Sequence, residues 1–261
     1  MPTSSYDDLA EIYDHFQKDI DPDRWAEYID GLIRTFGPQK GDGREGRLLL
    51  CDLGCGTGGV SISMHRLGYD VIGIDDSILM LQKAREKAAS ARADILYLNQ
   101  NITQMELFGT VDVFCCLLDT VNHLTRKVDF SRMLTSFSNY LNPGGLFIFD
   151  AATAHHLEDT LGNHFFYKVE EEYALLWENR FSPKTKISTS DLTFFTKESD
   201  RDAYLRYEGQ IKERVYTEKD IRTCLEKAGM ILLAGYKELS RENTDGLGIR
   251  DFYVAMRPMP A

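Results

Sequence analysis

Apolar and polar positions along this chain fall into blocks whose period changes in a regular order. Leu48-Leu49-Leu50-Cys51-Asp52-Leu53 is a short, nearly unbroken apolar run followed by a glycine-dense turn, Gly54 to Gly59. Such a run without alternation fits a strand covered on both faces, as in a parallel sheet. The spacing predicts a strand over 47–53, a helix from Gly58 to about Leu67 and a second strand over 70–75. A helix over 78–90 follows, capped by Ser77, with Leu79, Leu81 and Ala84 on its buried stripe. Strands over 93–98 and 111–118, a helix over 128–140 and a strand over 146–150 complete the alternation; Asn142-Pro143-Gly144-Gly145 reads as the helix stop. Ahead of the first strand, 6–17 and 22–36 read as helices, with Leu9, Ile12, Tyr13 and Phe16 on one face of the first.

After Asp150 the period changes. Residues 164–216 are rich in Phe, Tyr, Thr and Val and carry turn signals at Ser182-Pro183-Lys184 and Glu198-Ser199-Asp200. Four antiparallel strands are expected, over 165–171, 173–181, 187–196 and 203–215. A helix over 217–228, capped by Thr217, and strands over 230–239 and 249–256 close the chain. The fold class is α/β: a doubly wound, seven-stranded, mostly parallel sheet with an antiparallel β insert before the last helix. The expected organisation is a helical cap over 1–40, a ligand-binding domain over 41–154 and 217–261, and the insert over 155–216, serving as a lid or a dimerisation element.

The chemistry sits at the strand ends. Gly54, Gly56 and Gly58 let the backbone turn sharply and let a ligand approach it. Asp75 ends the second strand, about 20 residues further on, the spacing of an acid that binds ribose hydroxyls. Two ligands suit a glycine turn with that acid: a dinucleotide, and S-adenosylmethionine (SAM). Gly54, Gly56 and Gly59 satisfy G-x-G-x-x-G. Asp52, however, would repel a pyrophosphate, while it suits the sulfonium and ammonium of SAM.

Asp52-Leu53-Gly54-Cys55-Gly56-Thr57-Gly58 closely resembles the SAM-binding motif of the class I methyltransferases, and Gly73-Ile74-Asp75-Asp76-Ser77 resembles their G-x-D-x-S pattern. The resemblance covers most of 47–150 and 217–257, and it implies the strand order 3-2-1-4-5-7-6. The β insert and the pairs Tyr6-Asp7 and Tyr13-Asp14 are similar to a smaller bacterial group, related to aminosugar N,N-dimethyltransferases and glycine N-methyltransferase. By this resemblance Gly54, Cys55, Gly56 and Gly58 lie under the methionine part of SAM. Asp52 faces its amino-acid end, and Asp75, with Asp76 beside it, takes the ribose. Asn101 and Ile102 meet the adenine; the family usually has an acid at the first of these, and an amide oxygen can accept the same bond. Leu118 lines the cofactor. Tyr13 either folds over the cofactor or is a core aromatic.

Catalytic candidates are the polar residues beyond strands 4 and 5: Asp119, His123 and Asp150. His123 reads equally as a base or as a packed histidine at a helix start. The Asn/Asp-Pro-Pro-Tyr/Phe string of exocyclic-amine DNA methyltransferases is absent here, where Leu118-Asp119-Thr120-Val121 stands.

The remaining composition narrows the partners. A net charge of -11, with no Lys/Arg-rich block, argues against nucleic acid. No apolar run approaches the ~18 residues of a membrane span, and the first residues lack the basic and apolar regions of a secretory signal. The five cysteines contain no C-x-x-C pair and read as core residues in a reducing, cytoplasmic setting; no metal site is expected. His155, His156 and His164 read as a surface loop. The expected activity is SAM-dependent methyl transfer to nitrogen or oxygen of a small-molecule acceptor, with a homodimer if the insert is an interface. The alternatives are an RNA or protein methyltransferase, a non-catalytic SAM-binding protein, and an NAD-dependent oxidoreductase.

Overall fold

In the computed structural model the described residues are 13, 17–38, 46–198 and 203–260. Helix α1 (Pro22–Phe36) precedes β1 (Leu49–Leu53), α2 (Gly59–Arg66), β2 (Asp70–Asp75), α3 (Ile78–Ala91), β3 (Ile95–Asn99) and β4 (Val111–Cys116). A 3-10 turn (Thr120–His123), α4 (Lys127–Ser138) and β5 (Leu141–Ala152) follow. After a π-helical turn (His155–Leu161) come β6 (Phe165–Val169), β7 (Tyr173–Ser182), β8 (Ile187–Lys197) and β9 (Tyr204–Arg214). The chain ends with α5 (Glu218–Lys227), β10 (Ile231–Lys237) and β11 (Arg250–Met256).

The main sheet has seven strands in the order β10-β11-β5-β4-β1-β2-β3, and β6-β7-β8-β9 form a separate antiparallel sheet. With β11 and β10 as the sixth and seventh positions from β3, this is the 3-2-1-4-5-7-6 order. β1 pairs in parallel with β2 and β4, and β11 runs antiparallel to β5. Every residue of β4 is buried, as a strand between two helical layers requires; its one polar residue, Asp112, accepts from Leu49 N–H and Asn142 Nδ2.

The core lies on both faces of that sheet. On one, Phe130, Met133, Leu134 and Phe137 of α4 and Ile221 and Leu225 of α5 cover Phe114, Phe147, Phe149 and Tyr253. On the other, Trp25, Ile29, Leu32 and Ile33 of α1 cover Leu50, Val113, Ile148, Phe252 and Val254. Pro22–Phe36, expected as part of a cap over 1–40, packs on this face of the sheet beside Val60 and Met64 of α2. Asp21 caps it, accepting from the amides of Asp23 and Arg24, and proline stands at its start. The helix expected over 6–17 lies outside the described residues except at Tyr13 and Gln17, as do the glycine-rich loop of 39–45 and the turn at 199–202.

Three local expectations are corrected. β4 ends at Cys116, short of 118, because Leu118 and Asp119 take φ of 56° and 62° and swing the chain out of the sheet. β5 begins at Leu141 and runs through the Asn-Pro-Gly-Gly string; Gly144 (φ 75°) and a register shift opposite Val111–Val113 absorb the irregularity. The surface loop expected around His155 and His156 is the π-helical turn, whose Leu157 and Leu161 pack with Ala152 and Val215 and join the insert to the domain. Among the described residues, no helix is long and apolar enough to cross a membrane.

Candidate active site

The glycine turn after β1 is shaped by tertiary neighbours. Gly54, Gly56 and Gly58 all have positive φ, a region that side chains rarely adopt. A Cβ at Gly54 would lie 2.5 Å from Thr120 Cγ2, and one at Gly58 would lie 2.5 Å from Tyr97 Oη. The space beside these two glycines is thus filled by protein. Only Gly56 faces a looser neighbour, with the Tyr13 ring 3.4 Å from the Cβ position. Glycine here serves packing under the turn as much as ligand approach above it.

Two carboxylates brace this turn. Asp75, ending β2, accepts from Gly56 N–H at 2.8 Å and from Ser77 N–H at 2.9 Å. Asp52, buried in β1, accepts from Ser61 Oγ at 2.5 Å. Burial is the main cause that raises both to about 6; for Asp52 the neighbouring Asp75 adds to the rise. Burial also pushes the Cys55 thiol up, so it is a neutral wall atom. Asp52, Gly54, Cys55, Thr57, Leu118 and Tyr13 line a cavity of about 360 Å³. Of its charged lining residues, Asp52 suits a cationic ligand end, while Lys18 and Lys87, the latter donating to Thr57 Oγ1 at 2.8 Å, suit an anionic one, as the two ends of a zwitterionic amino-acid group require. The residues present therefore fit SAM.

Asp76 is exposed beside Asp75. Asn101 is used differently from the expected adenine contact. Its side-chain oxygen accepts from Thr103 N–H at 2.9 Å and from Thr103 Oγ at 2.6 Å, closing its own turn. Ile102 is half-buried against the core.

A second, larger cavity of about 520 Å³ adjoins the first. Leu118, Tyr13, Gln17 and Ile20 border both, so the two meet where the chain leaves β4. The wall opposite is the inner face of the insert sheet: Phe166 of β6, Tyr173, Leu175 and Trp177 of β7, Leu192 and Phe194 of β8, and Ile211 and Glu213 of β9. The register explains this face, since Phe166 pairs with Trp177, Trp177 with Leu192, and Ser188 with Glu213. Asn122 ties the insert to the main sheet, donating to Arg214 O at 2.9 Å while accepting from Ala152 N–H at 2.9 Å.

The expected catalytic acids, Asp119 and Asp150, are both held by Arg250, the first residue of β11. Its guanidinium grips Asp119 with Nε–Oδ1 at 3.2 Å and Nη2–Oδ2 at 2.6 Å. It also reaches Asp150 at 3.3 Å and Glu238 at 3.1 Å. Asp150 is wholly buried, accepts the Asp119 amide, and does not line the chamber. Neither acid is a free base, because each is engaged by a buried cation. Burial still pushes Asp150 well above the usual carboxylate range, and Asp119 adds to the rise while Arg250 opposes it. Two consecutive non-glycine residues at positive φ, Leu118 and Asp119, cost roughly 1–3 kcal/mol each; the Arg250 clamp offsets that strain.

His123 lines the chamber and bonds to the backbone of Lys212 on β9, and burial lowers its pKa. His156, expected on a surface loop, lines it as well. Burial lowers its pKa too, and its Nδ1 is buried with no hydrogen-bond partner among the described residues. Arg250, Glu213, His156 and Trp177 are chamber residues that sequence reasoning passed over. For Glu213 a signal existed: in 205–215 the apolar register reads Tyr207, Ile211, Glu213, with one acid among hydrophobics. Arg250 carried a weaker one, as two acids at neighbouring strand ends require a counter-charge.

Comparison with known proteins places this geometry. A family described as a methyltransferase domain matches residues 50–145. A Bacillus subtilis (strain 168) protein bearing a provisional methyltransferase name is 29% identical over 231 residues, 87% of each chain. Glycine/sarcosine N-methyltransferase of Halorhodospira halochloris is 30% identical over 141 residues, 49% of this chain and 50% of that one. The crystal structure of a SAM-dependent methyltransferase from Clostridium acetobutylicum superposes with a TM-score of 0.85 at 25% identity, covering 98% of this chain and 100% of the other. A SAM-bound amino pentose methyltransferase from Micromonospora echinaspora shares the fold, with a TM-score of 0.72 at 18% identity over 93% and 94% of the chains.

Proposed function

Since the chain belongs to the class I SAM-dependent methyltransferases, we propose that it transfers the methyl group to nitrogen or oxygen of a small molecule held beneath the insert. The observation that carries this reading is the junction of two cavities at Leu118, one at the glycine turn and one under the insert sheet. The first suits the cofactor: Asp52 toward its cationic end, Asp75 toward its ribose and the 54–58 turn beneath. When bound, SAM supplies a methyl on a sulfonium, an electrophile that needs only an aligned lone pair.

The protein's part is position, charge and exclusion of water. The insert's aromatic face and residues 17–20 surround the acceptor chamber and keep it dry. The electronegative floor around Asp119 favours cationic groups, the sulfonium among them. His123 and His156, held neutral by burial, are the imidazoles placed to receive a proton. A small acceptor agrees with relatives that act on glycine, sarcosine and an amino pentose. It agrees also with a chamber of about 520 Å³, too small for a folded macromolecule.

Titration calorimetry with SAM, S-adenosylhomocysteine (SAH) and NADH tests the cofactor half. Labelled-methyl transfer into metabolite extracts, total tRNA, rRNA and duplex DNA tests the acceptor half. Label in a small-molecule fraction is the expected result. Stoichiometric label in nucleic acid, or NADH binding without SAM binding, would refute it.

A further inference from the structure

The acceptor chamber combines an aromatic wall with an excess of acid. Trp177, Phe166, Tyr173 and Phe194 supply the wall. At the floor a single cation, Arg250, faces Asp119, Asp150 and Glu238. Across from it, Glu213 reaches in from β9, and its carboxyl makes no hydrogen bond with any other described residue. The other cation on this wall, Lys168, is at the rim, 3.8 Å from both Asp19 and Glu170. Among the described residues that line the chamber, Asp19, Asp119 and Glu213 stand against Lys168 and Arg250, so an ionised Glu213 leaves one positive charge missing.

We propose, resting on the methyl-transfer reading above, that the acceptor is an amine carried on an apolar body at least one ring in size, and that Glu213 receives its ammonium. An anionic acceptor would meet like charge from Asp119 and Glu213. A neutral hydroxyl would leave Glu213 either ionised without a partner or protonated at a cost. An ammonium supplies both the missing charge and the N–H donors, and the indole of Trp177 on the same wall attracts it further. The aromatic wall gains little from a sugar or from glycine and much from an apolar ring.

Glu213 also has the proton affinity for a second task. Burial, reinforced by Asp119 and opposed by Arg250, raises it to about 8. Of the other titratable and charged groups that line the chamber, Asp19, Asp119, Lys168, Arg250 and the phenols of Tyr13, Tyr167 and Tyr173 among them, burial shifts His123 and His156 toward neutrality. When an ammonium N–H bond breaks, its electron pair stays on nitrogen as the lone pair the reaction needs, and a carboxyl O–H forms on Glu213. The proton passes to solvent when product leaves. The nearer the carboxyl lies to the amine range of about 10, the easier that transfer.

Binding of 4-phenylbutylamine, 4-phenylbutanol and D-glucosamine to the enzyme–SAH complex, measured by calorimetry, tests the proposal. At pH 9 the aromatic amine is expected to bind at least tenfold tighter than either comparison. Its affinity should rise about tenfold from pH 7 to pH 9, as Glu213 goes from about one tenth to about nine tenths ionised. Glu213→Gln should abolish both the preference for the amine over the alcohol and the rise with pH, and Glu213→Asp should keep the preference. SAH affinity, unchanged in both variants, verifies that they fold. Equal binding of the alcohol, equal binding of glucosamine, or a preference that survives in Glu213→Gln would overturn the proposal while leaving methyl transfer intact. Failure of the unsubstituted enzyme to bind SAH would overturn the methyl-transfer reading itself.

Discussion

Replacing Arg250 by Met keeps most of the side-chain volume and removes the charge, so it isolates what the guanidinium does. The side chain is 12% exposed; its partners Asp119, Asp150 and Glu238 are 16%, 0% and 28% exposed. Stranding buried carboxylates in this way costs about 3–5 kcal/mol. The loss has a ceiling, because Asp150 can escape by taking a proton. From an unfolded pKa of about 3.9, neutralising it costs about 1.36 kcal/mol per pH unit, roughly 5.6 kcal/mol at pH 8 and roughly 2.2 kcal/mol at pH 5.5. The sign follows from linkage. Asp150 lies above its unfolded value in the native state, so the folded protein holds more protons and stability falls as pH rises. Arg250 opposes that shift, and without it the fall steepens. Urea unfolding, followed by fluorescence of Trp25 and Trp177, should show a loss of about 3–5 kcal/mol at pH 8. At pH 5.5 the loss should shrink to about 2 kcal/mol or less. The melting temperature at pH 8 should fall by on the order of 10 °C. Adding Asp150→Asn to the variant should restore at least half of the loss, since the most deeply buried of the three stranded carboxylates is gone. A loss below about 1 kcal/mol at pH 8, or one equal at both pH values, would refute the argument that Arg250 neutralises this cluster.

Other expectations concern the turn, the cofactor and the insert. Gly58→Ala should destabilise the protein by about 2–4 kcal/mol, because its φ is 79° and the new Cβ would lie 2.5 Å from Tyr97 Oη; a Gly58→Ala/Tyr97→Phe double variant that recovers part of the loss in urea unfolding would verify the clash. Asp75→Ala should weaken SAM binding at least tenfold by calorimetry, from the loss of two charge-assisted bonds to ribose at about 1.5 kcal/mol or more each; unchanged affinity would move the ribose contact elsewhere. Asn122→Ala should loosen the insert by removing its bonds to Arg214 and Ala152, seen as faster hydrogen exchange within 204–214 while β1 and β4 stay protected. SAH should slow exchange within 165–214 if the insert closes as a lid, and protection that depends on protein concentration alone would favour a dimer interface.

Much of this protein was legible in one dimension. The seven strands of the main sheet, the antiparallel insert, and the positions of the glycine turn and Asp75 follow from period, glycine placement and strand-end acids. These features are local: a buried parallel strand needs an unbroken apolar run, and the chain after it needs residues that turn. What the sequence could not supply was the partner of each polar group. Asp119 and Asp150 read as reactive acids until the fold brought Arg250, 131 residues from Asp119, within 2.6 Å of it. Asn101 read only as an adenine contact, and the structure adds that its oxygen accepts twice from Thr103. His156 read as part of a surface loop until the π-helical turn set it into the chamber, and Glu213 drew no reading until pairing of β8 with β9 placed it there. Even the glycines at 54 and 58 owe their identity in part to Thr120 and Tyr97, which approach from other elements. Backbone period is written along the chain, whereas charge pairing and burial depend on distances that exist only once the sheet has assembled, and those distances decide which acid is bound and which is free.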